Sequence, residues 1–213
     1  MPSWAGIQEY APERAYELAF SRTRKQVLVD SSKRTVWTEQ FIAPDARFKA
    51  HLIHLIRDPR GWYASERRRR ESNRNGMIGE WVDENLRIGK FVQSTNVPST
   101  TVFYDELASS PTSGFQQVCG EIGCLFEPSA LRYWEKAHHG FAANGASSPL
   151  LRSLPNISEL RNFVTGDDAF YAINDRKSFV DQRWKEQLSE ADALAISGDS
   201  RLAAKTVQSC LDT

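Results

Sequence analysis

The sequence has few cysteines, no excess of either charge and no long apolar run. Its 213 residues include three cysteines (Cys119, Cys124 and Cys210) and no CxxC pair, which is typical of reduced thiols rather than of a disulfide framework. The 27 basic and 27 acidic residues balance, so there is no overall attraction to nucleic acid or to a membrane. No apolar run approaches the roughly 20 residues that span a bilayer, and the amino-terminal residues lack the pattern of a secretory signal. We therefore expect a soluble, cytoplasmic protein without nucleic-acid or membrane partners.

Residue spacing disfavours two further kinds of site. Cys119 and Cys124 lie on or near one predicted helix, and no histidine pair completes a zinc site, so no metal is expected. Seven arginines lie between Arg57 and Arg74, against three acidic residues. Arg67 to Arg70 occupy successive helical positions about 100° apart, so they point in different directions. This pattern is more typical of a solvated helix end than of a nucleic-acid groove.

Helices and strands alternate along the chain, and its length suits a single domain over residues 1–213. Strands are predicted at Gln26–Val29, Lys49–Ile56 and Thr100–Tyr104. Helices are predicted at Pro12–Lys25, at Asn75–Gln93, from Ser110-Pro111, from Pro128, and over most of the chain after Ser158. This order predicts an α/β fold.

The stretch HLIHLIRDPRGWYAS, residues 51–65, contains the strongest local signal. A buried strand ends at Ile56, Asp58 is a good N-cap and Pro59 is a good first helical residue, so a helix should begin at once. Such a turn presents backbone N–H groups and the positive end of a helix dipole, which suit an anion. Arg57, at the carboxyl end of the strand, would add a guanidinium that matches phosphate oxygens. The alternative is an arginine that only caps or pairs at the surface.

The same stretch resembles the phosphate-binding segment of sulfotransferases that use 3′-phosphoadenosine 5′-phosphosulfate (PAPS). In that family an arginine and a serine eight residues later hold the 3′-phosphate of the nucleotide, and Arg57 and Ser65 match them. The resemblance implies that PAPS is the donor co-substrate and that Arg57 and Ser65 bind it. It also implies a P-loop-like three-layer fold, with a central, mostly parallel sheet flanked by helices.

Four other segments match the family in the same order. They are VDSSK at Val29–Lys33, Tyr104-Asp105-Glu106-Leu107, the loop His139–Asn144, and Arg176-Lys177-Ser178 followed by Asp181 and Trp184-Lys185. The resemblance implies that Tyr104 lies near the nucleotide and that Arg176 and Lys177 close on its 3′-phosphate. The match departs from the family at Ala143 and Ser178, which replace glycines, and in the spacing before Trp184.

The family's first βα unit, with the loop that cradles the 5′-phosphosulfate, has no counterpart here. The resemblance therefore implies an N-terminally incomplete sulfotransferase domain, which either is truncated or receives the missing loop from another segment or chain. The implied reaction transfers a sulfuryl group from PAPS to a hydroxyl or amine of a small-molecule or carbohydrate acceptor. The alternative is a non-catalytic nucleotide-binding or interaction module, a remnant of such an enzyme.

Lys33 is the candidate catalytic residue. It follows the predicted strand Gln26–Val29, so it would lie with Arg57 along one edge of a parallel sheet and act as a cation near the sulfuryl group. The alternative is an ordinary surface lysine. No general base is assigned, because the geometry that defines one cannot be read from sequence.

Overall fold

The computed structural model describes residues 12–31, 35–39, 42, 48–68, 70, 73–135 and 179–203. The chain divides into two compact units. The first unit comprises Met1–His54, Asn73–Thr101 and Ser197–Thr213, and the second comprises Leu55–Ser72 and Val102–Ile196. The single domain over residues 1–213 stays a prediction.

Helices form most of the regular structure in the described ranges. They are α1 (Pro12–Thr23), α2 (Thr35–Glu39), α3 (Pro59–Arg67), α4 (Arg74–Ser94), α5 (Tyr104–Ser109), α6 (Pro111–Glu121), α7 (Trp184–Gln187), α8 (Glu190–Ser197) and α9 (Ser200–Ala203). The strands are β1 (Leu52–Ile56) and β2 (Ser99–Phe103). Two 3₁₀ turns, Pro128–Leu131 and Tyr133–Glu135, follow α6. Within the described ranges, no helix combines the length and the apolarity needed to cross a bilayer.

Strands β1 and β2 pair in a small parallel sheet. Side chains alternate along β1, because successive residues of a strand face opposite sides: His54 and Ile56 are buried, whereas Ile53 and Leu55 are exposed. Both strands were predicted, and the mixture of helices with a parallel sheet is compatible with the predicted α/β class. The three-layer arrangement stays a prediction.

The predicted strand at Gln26–Val29 is wrong. These residues are described, and they form no strand. Val29 is 80% exposed and Val27 is 45% exposed. An apolar triplet becomes a strand only when a neighbour accepts its backbone hydrogen bonds, and the described sheet pairs β1 with β2 alone. Lys33 therefore does not follow a strand as predicted, and the residue itself lies outside the described ranges.

Helix α3 begins where its predicted capping residue places it, and α4 also begins at a side-chain cap. Asp58 Oδ1 accepts the N–H of Arg60 at 2.8 Å, with Pro59 in the first turn of α3. Asn73 Oδ1 accepts the N–H of Gly76 at 2.7 Å and caps α4. The helix predicted from Pro128 is wrong: the described residues 128–135 form two short 3₁₀ turns.

Helix α4 supplies most of the described core of the first unit. Its buried side chains recur at helical spacing and are Met77, Ile78, Trp81 and Val82. His54 of β1 is also buried, and its Nε2 lies 3.1 Å from Asn85 Oδ1. Asn85 donates from Nδ2 to the carbonyl of Trp81 at 2.8 Å, so Oδ1 is the acceptor and His54 donates from Nε2.

We expect thermal stability to fall as the pH drops through about 6.5, the ordinary pKa of histidine, because of His54. Burial lowers the pKa of His54 below its ordinary 6.5, despite the hydrogen bond with Asn85. The unfolded chain then binds a proton that the folded chain resists, so stability is complete above the unfolded pKa and is lost as the pH falls through it. The measurement is Tm against pH for the wild type and for His54→Gln, which keeps an N–H donor. A Tm that falls equally in both proteins would contradict this origin.

Candidate functional site

Arg57 directly follows β1 in the second unit, and its side chain is 30% exposed. Its Nη2 donates to Asp181 Oδ2 at 3.0 Å, across 124 positions of sequence. The guanidinium carbon also lies 5.4 Å from the centre of the Tyr104 ring, within the range of a cation–π contact. Arg57 is thus held at the carboxyl end of its strand by a carboxylate and an aromatic ring.

Asp181 is shared between two arginines. Arg183 donates from Nε to Asp181 Oδ1 at 2.8 Å and from Nη2 to Oδ2 at 2.9 Å. Burial raises the pKa of Asp181, but the hydrogen bonds and charge of Arg183, together with the charge of Arg57, outweigh burial and lower it to about 2. Asp181 is therefore ionised at neutral pH. Arg57 and Arg183 both donate to this one carboxylate.

Tyr104, the first residue of α5, contacts both Arg57 and Asp181. Its hydroxyl accepts the backbone N–H of Asp181 at 3.3 Å. Burial raises the pKa of Tyr104, although the backbone hydrogen bond from Asp181 and the charge of Arg57 lower it. The hydroxyl therefore keeps its proton at neutral pH and can donate a hydrogen bond to an anion that binds beside Arg57.

The backbone at the start of α3 is already satisfied, which corrects the prediction of N–H groups available to an anion. Asp58 donates its backbone N–H to Asp105 Oδ2 at 3.2 Å, and Arg60 donates its own to Asp58 Oδ1 at 2.8 Å. Two carboxylates thus occupy the positive end of the helix dipole. An anion at this corner has to be held by side chains, above all by Arg57.

Gly61 lets α3 approach the arginine closely. A Cβ at this buried position would lie 3.2 Å from Arg57 Nε and 3.5 Å from Trp184 Cδ1. Ser65 lies four residues on, about 6 Å along the helix and on nearly the same face. It is half-buried, and no hydrogen bond of its hydroxyl occurs among the described residues. Arg57 therefore packs against the face of α3 that also carries Ser65.

Trp184 joins the carboxy-terminal segment to α3. The guanidinium carbon of Arg60 lies 4.1 Å from the centre of its ring, a close cation–π contact. Arg60 is itself held by Asp58, with Nε 2.9 Å from Oδ1. The segment that begins at Phe179 is thus attached to the β1–α3 corner at two points, through Asp181 and through Trp184.

The structure brings together Arg57, Tyr104 and the face of α3 that carries Ser65. Lys33, Arg176, Lys177 and the loop His139–Asn144 lie outside the described residues. Sequence reasoning matched Asp181 to a family motif but did not identify it as a partner of Arg57, and it gave Asp105 no role. The available signal for Asp105 was its position just after strand β2, which matches the position of Asp58 after the neighbouring strand β1.

No group of three or more potential metal ligands occurs within the described ranges.

No family model matches the chain, and no curated protein does. Among solved structures, the chain is similar to the sulfotransferase domain from the curacin biosynthetic pathway, with a TM-score of 0.59 and 17% sequence identity. The similarity covers 90% of this chain and 67% of that one. At this identity the similarity shows the fold, and a fold alone does not establish an activity. The chain therefore has a sulfotransferase-like fold.

Proposed function

We propose that this chain is a sulfotransferase that transfers a sulfuryl group from PAPS to a hydroxyl or amine acceptor. The observation that carries the proposal is the position of Arg57. It lies at the carboxyl end of a strand in a sulfotransferase-like fold, beside Tyr104 and against the face of α3 that carries Ser65. These are the residues that the sequence resemblance associates with the nucleotide.

The described groups suit a phosphate monoester. Among the residues that the structure describes, Arg57 uses one of its five N–H donors, for Asp181. The others can donate to phosphate oxygens, and a charge-assisted hydrogen bond of this kind contributes about 1.5–3 kcal/mol. Tyr104 and Ser65 can add hydroxyl donors. We assign the 3′-phosphate to this cluster, with Arg176 and Lys177 as further proposed ligands.

Sulfuryl transfer depends mainly on positioning and on stabilising charge at the leaving oxygen, as phosphoryl transfer does. Within the proposal, Arg57, Ser65 and Tyr104 hold the nucleotide and orient it. Lys33 is the proposed cation beside the sulfuryl group. An acceptor hydroxyl also needs a group within hydrogen-bond reach to take its proton, and we assign no residue to that role.

The test compares two nucleotides that differ in one group. Isothermal titration calorimetry with 3′-phosphoadenosine 5′-phosphate (PAP) and with adenosine 5′-monophosphate (AMP) measures the contribution of the 3′-phosphate. We expect PAP to bind in the micromolar range and AMP at least about tenfold more weakly, since AMP lacks the charge-assisted contacts. Equal affinities would contradict the proposal.

A transfer assay then separates the enzyme from a non-catalytic module. The chain is incubated with PAPS and a panel of phenols, alcohols, sugars and amines, and PAP release is measured. Turnover supports the sulfotransferase. Preference for PAP without turnover on any acceptor supports a binding remnant of such an enzyme.

Gly61→Ala should weaken PAP binding without destabilising the fold. The new Cβ would lie 3.2 Å from Arg57 Nε and displace the guanidinium by a few tenths of an ångström. We expect a loss of about threefold to tenfold in PAP affinity, because binding by a bidentate fork is sensitive to small displacements. The measurement is the Kd for PAP together with the free energy of unfolding.

Gly120→Ala in α6 is the matched control. A Cβ there would meet nothing within 4 Å, so alanine should stabilise the helix by up to about 1 kcal/mol and leave PAP binding unchanged. If both alanine variants bound PAP as the wild type does, contact between Gly61 and Arg57 would have no role in binding.

A further inference from the structure

We propose that Asp181 is a positioning residue for nucleotide binding: its carboxylate holds Nη2 of the Arg57 guanidinium so that the other N–H groups face the 3′-phosphate. This role rests on the proposed function and adds to it a residue that does not itself touch the nucleotide.

Among the described residues, three Asp-x-Arg segments form the same local clasp. In each, the arginine donates from its backbone N–H and from Nε to one carboxylate oxygen and from Nη2 to the other. The pairs are Asp58–Arg60, Asp181–Arg183 and Asp199–Arg201. Asp181 differs from Asp199 by also accepting from an arginine on another element, Arg57. The clasp is thus a local motif, and its contact with Arg57 is specific to Asp181.

The clasp lets Asp181 orient Arg57 without cancelling its charge. Arg183 donates to both oxygens of Asp181 at 2.8 and 2.9 Å, whereas Arg57 donates one hydrogen bond at 3.0 Å. Arg183 is therefore the principal counter-ion of Asp181. The positive charge of Arg57 stays available to a phosphate, and its planar guanidinium is fixed by the contact at one nitrogen.

The same residue also aligns the second proposed ligand. The Asp181 backbone N–H donates to the Tyr104 hydroxyl at 3.3 Å, which orients that hydroxyl while its proton remains available. Side chain and backbone of one residue thus set the directions of two donors. Because both donors are held before the ligand arrives, binding should cost less conformational entropy.

The competing interpretation is that Asp181 occupies Arg57 and has to be displaced by the phosphate. The two interpretations predict opposite signs. If Asp181 positions Arg57, Asp181→Asn weakens PAP relative to AMP. If Asp181 competes with phosphate, the same change removes a negative charge beside the site and strengthens PAP relative to AMP.

The experiment measures the ratio of the Kd for AMP to the Kd for PAP in the full chain. We expect Asp181→Asn to lower this ratio by about tenfold, a change that corresponds to misdirecting one charge-assisted contact. Asp199→Asn is the matched control, because it breaks the same clasp without a contact to Arg57, and it should leave the ratio unchanged. An unchanged or higher ratio in Asp181→Asn would overturn the inference.

A double-mutant cycle tests whether Asp181 acts through Arg57. In an Arg57→Ala background, Asp181→Asn should change the ratio no further, whereas an independent effect on the ratio would overturn the positioning role. Should Asp181→Asn fail to fold, Asp181→Glu moves the carboxylate by one methylene and should also lower the ratio. If the wild type itself shows no preference for PAP, the proposed function fails. If that preference is present and survives Asp181→Asn, only this inference fails.

Discussion

Arg57→Ala is expected to weaken PAP binding by about tenfold to a hundredfold, or about 1.5–3 kcal/mol, and to leave AMP binding nearly unchanged. The change removes the charge-assisted donors assigned to the 3′-phosphate. It should not unfold the chain, because Asp181 keeps Arg183 as its principal counter-ion after Arg57 is lost. The measurement is calorimetric titration with both nucleotides, with Tm recorded for each variant.

Two controls sharpen this expectation. Arg57→Lys keeps the charge but loses the planar fork, so its PAP affinity should be intermediate. Arg132→Ala removes an exposed arginine paired with Glu135 at 2.9 Å, and it should bind PAP as the wild type does. An Arg57→Ala variant that lost affinity for both nucleotides equally would mean that Arg57 does not recognise the 3′-phosphate.

Ile196→Ala is expected to lower the free energy of unfolding by about 2–5 kcal/mol. Ile196 lies in α8 and is 1% exposed. Truncation would remove buried methyl and methylene groups and leave a cavity that the surroundings fill only in part. The measurement is equilibrium unfolding in urea, with the slope against denaturant compared between proteins.

Leu194, two positions earlier on the same helix, is the matched control. It is 65% exposed, so Leu194→Ala should change stability by no more than about 0.5 kcal/mol. If the two variants lost stability to the same degree, the difference in burial along α8 would not be a property of the protein in solution.

Some elements could be predicted because their causes lie within a few residues. Asp58 and Pro59 define the start of α3 locally, through one side-chain hydrogen bond and one fixed backbone angle. The apolar spacing around Trp81 likewise predicts α4 without reference to its partners. These predictions needed no knowledge of distant contacts.

Other predictions failed where the result depended on distant or competing partners. The triplet at Val27–Val29 has the composition of a strand but no described pairing. At Pro128 the helix signal is present, yet the described residues 128–135 form short 3₁₀ turns. At α3, sequence reasoning left the first N–H groups to an anion, whereas Asp105, which is 47 positions from Asp58, occupies one of them.

By itself, the sequence determined the strand–turn–helix at residues 52–67 and placed Arg57 at its corner, because capping, proline geometry and apolar patterning act between neighbours. Only the tertiary structure decided what Arg57 meets. Asp181 and Tyr104 come from segments 124 and 47 positions away. Spacing along a chain does not encode such contacts, since they form only when distant segments pack together and bury the groups that pair.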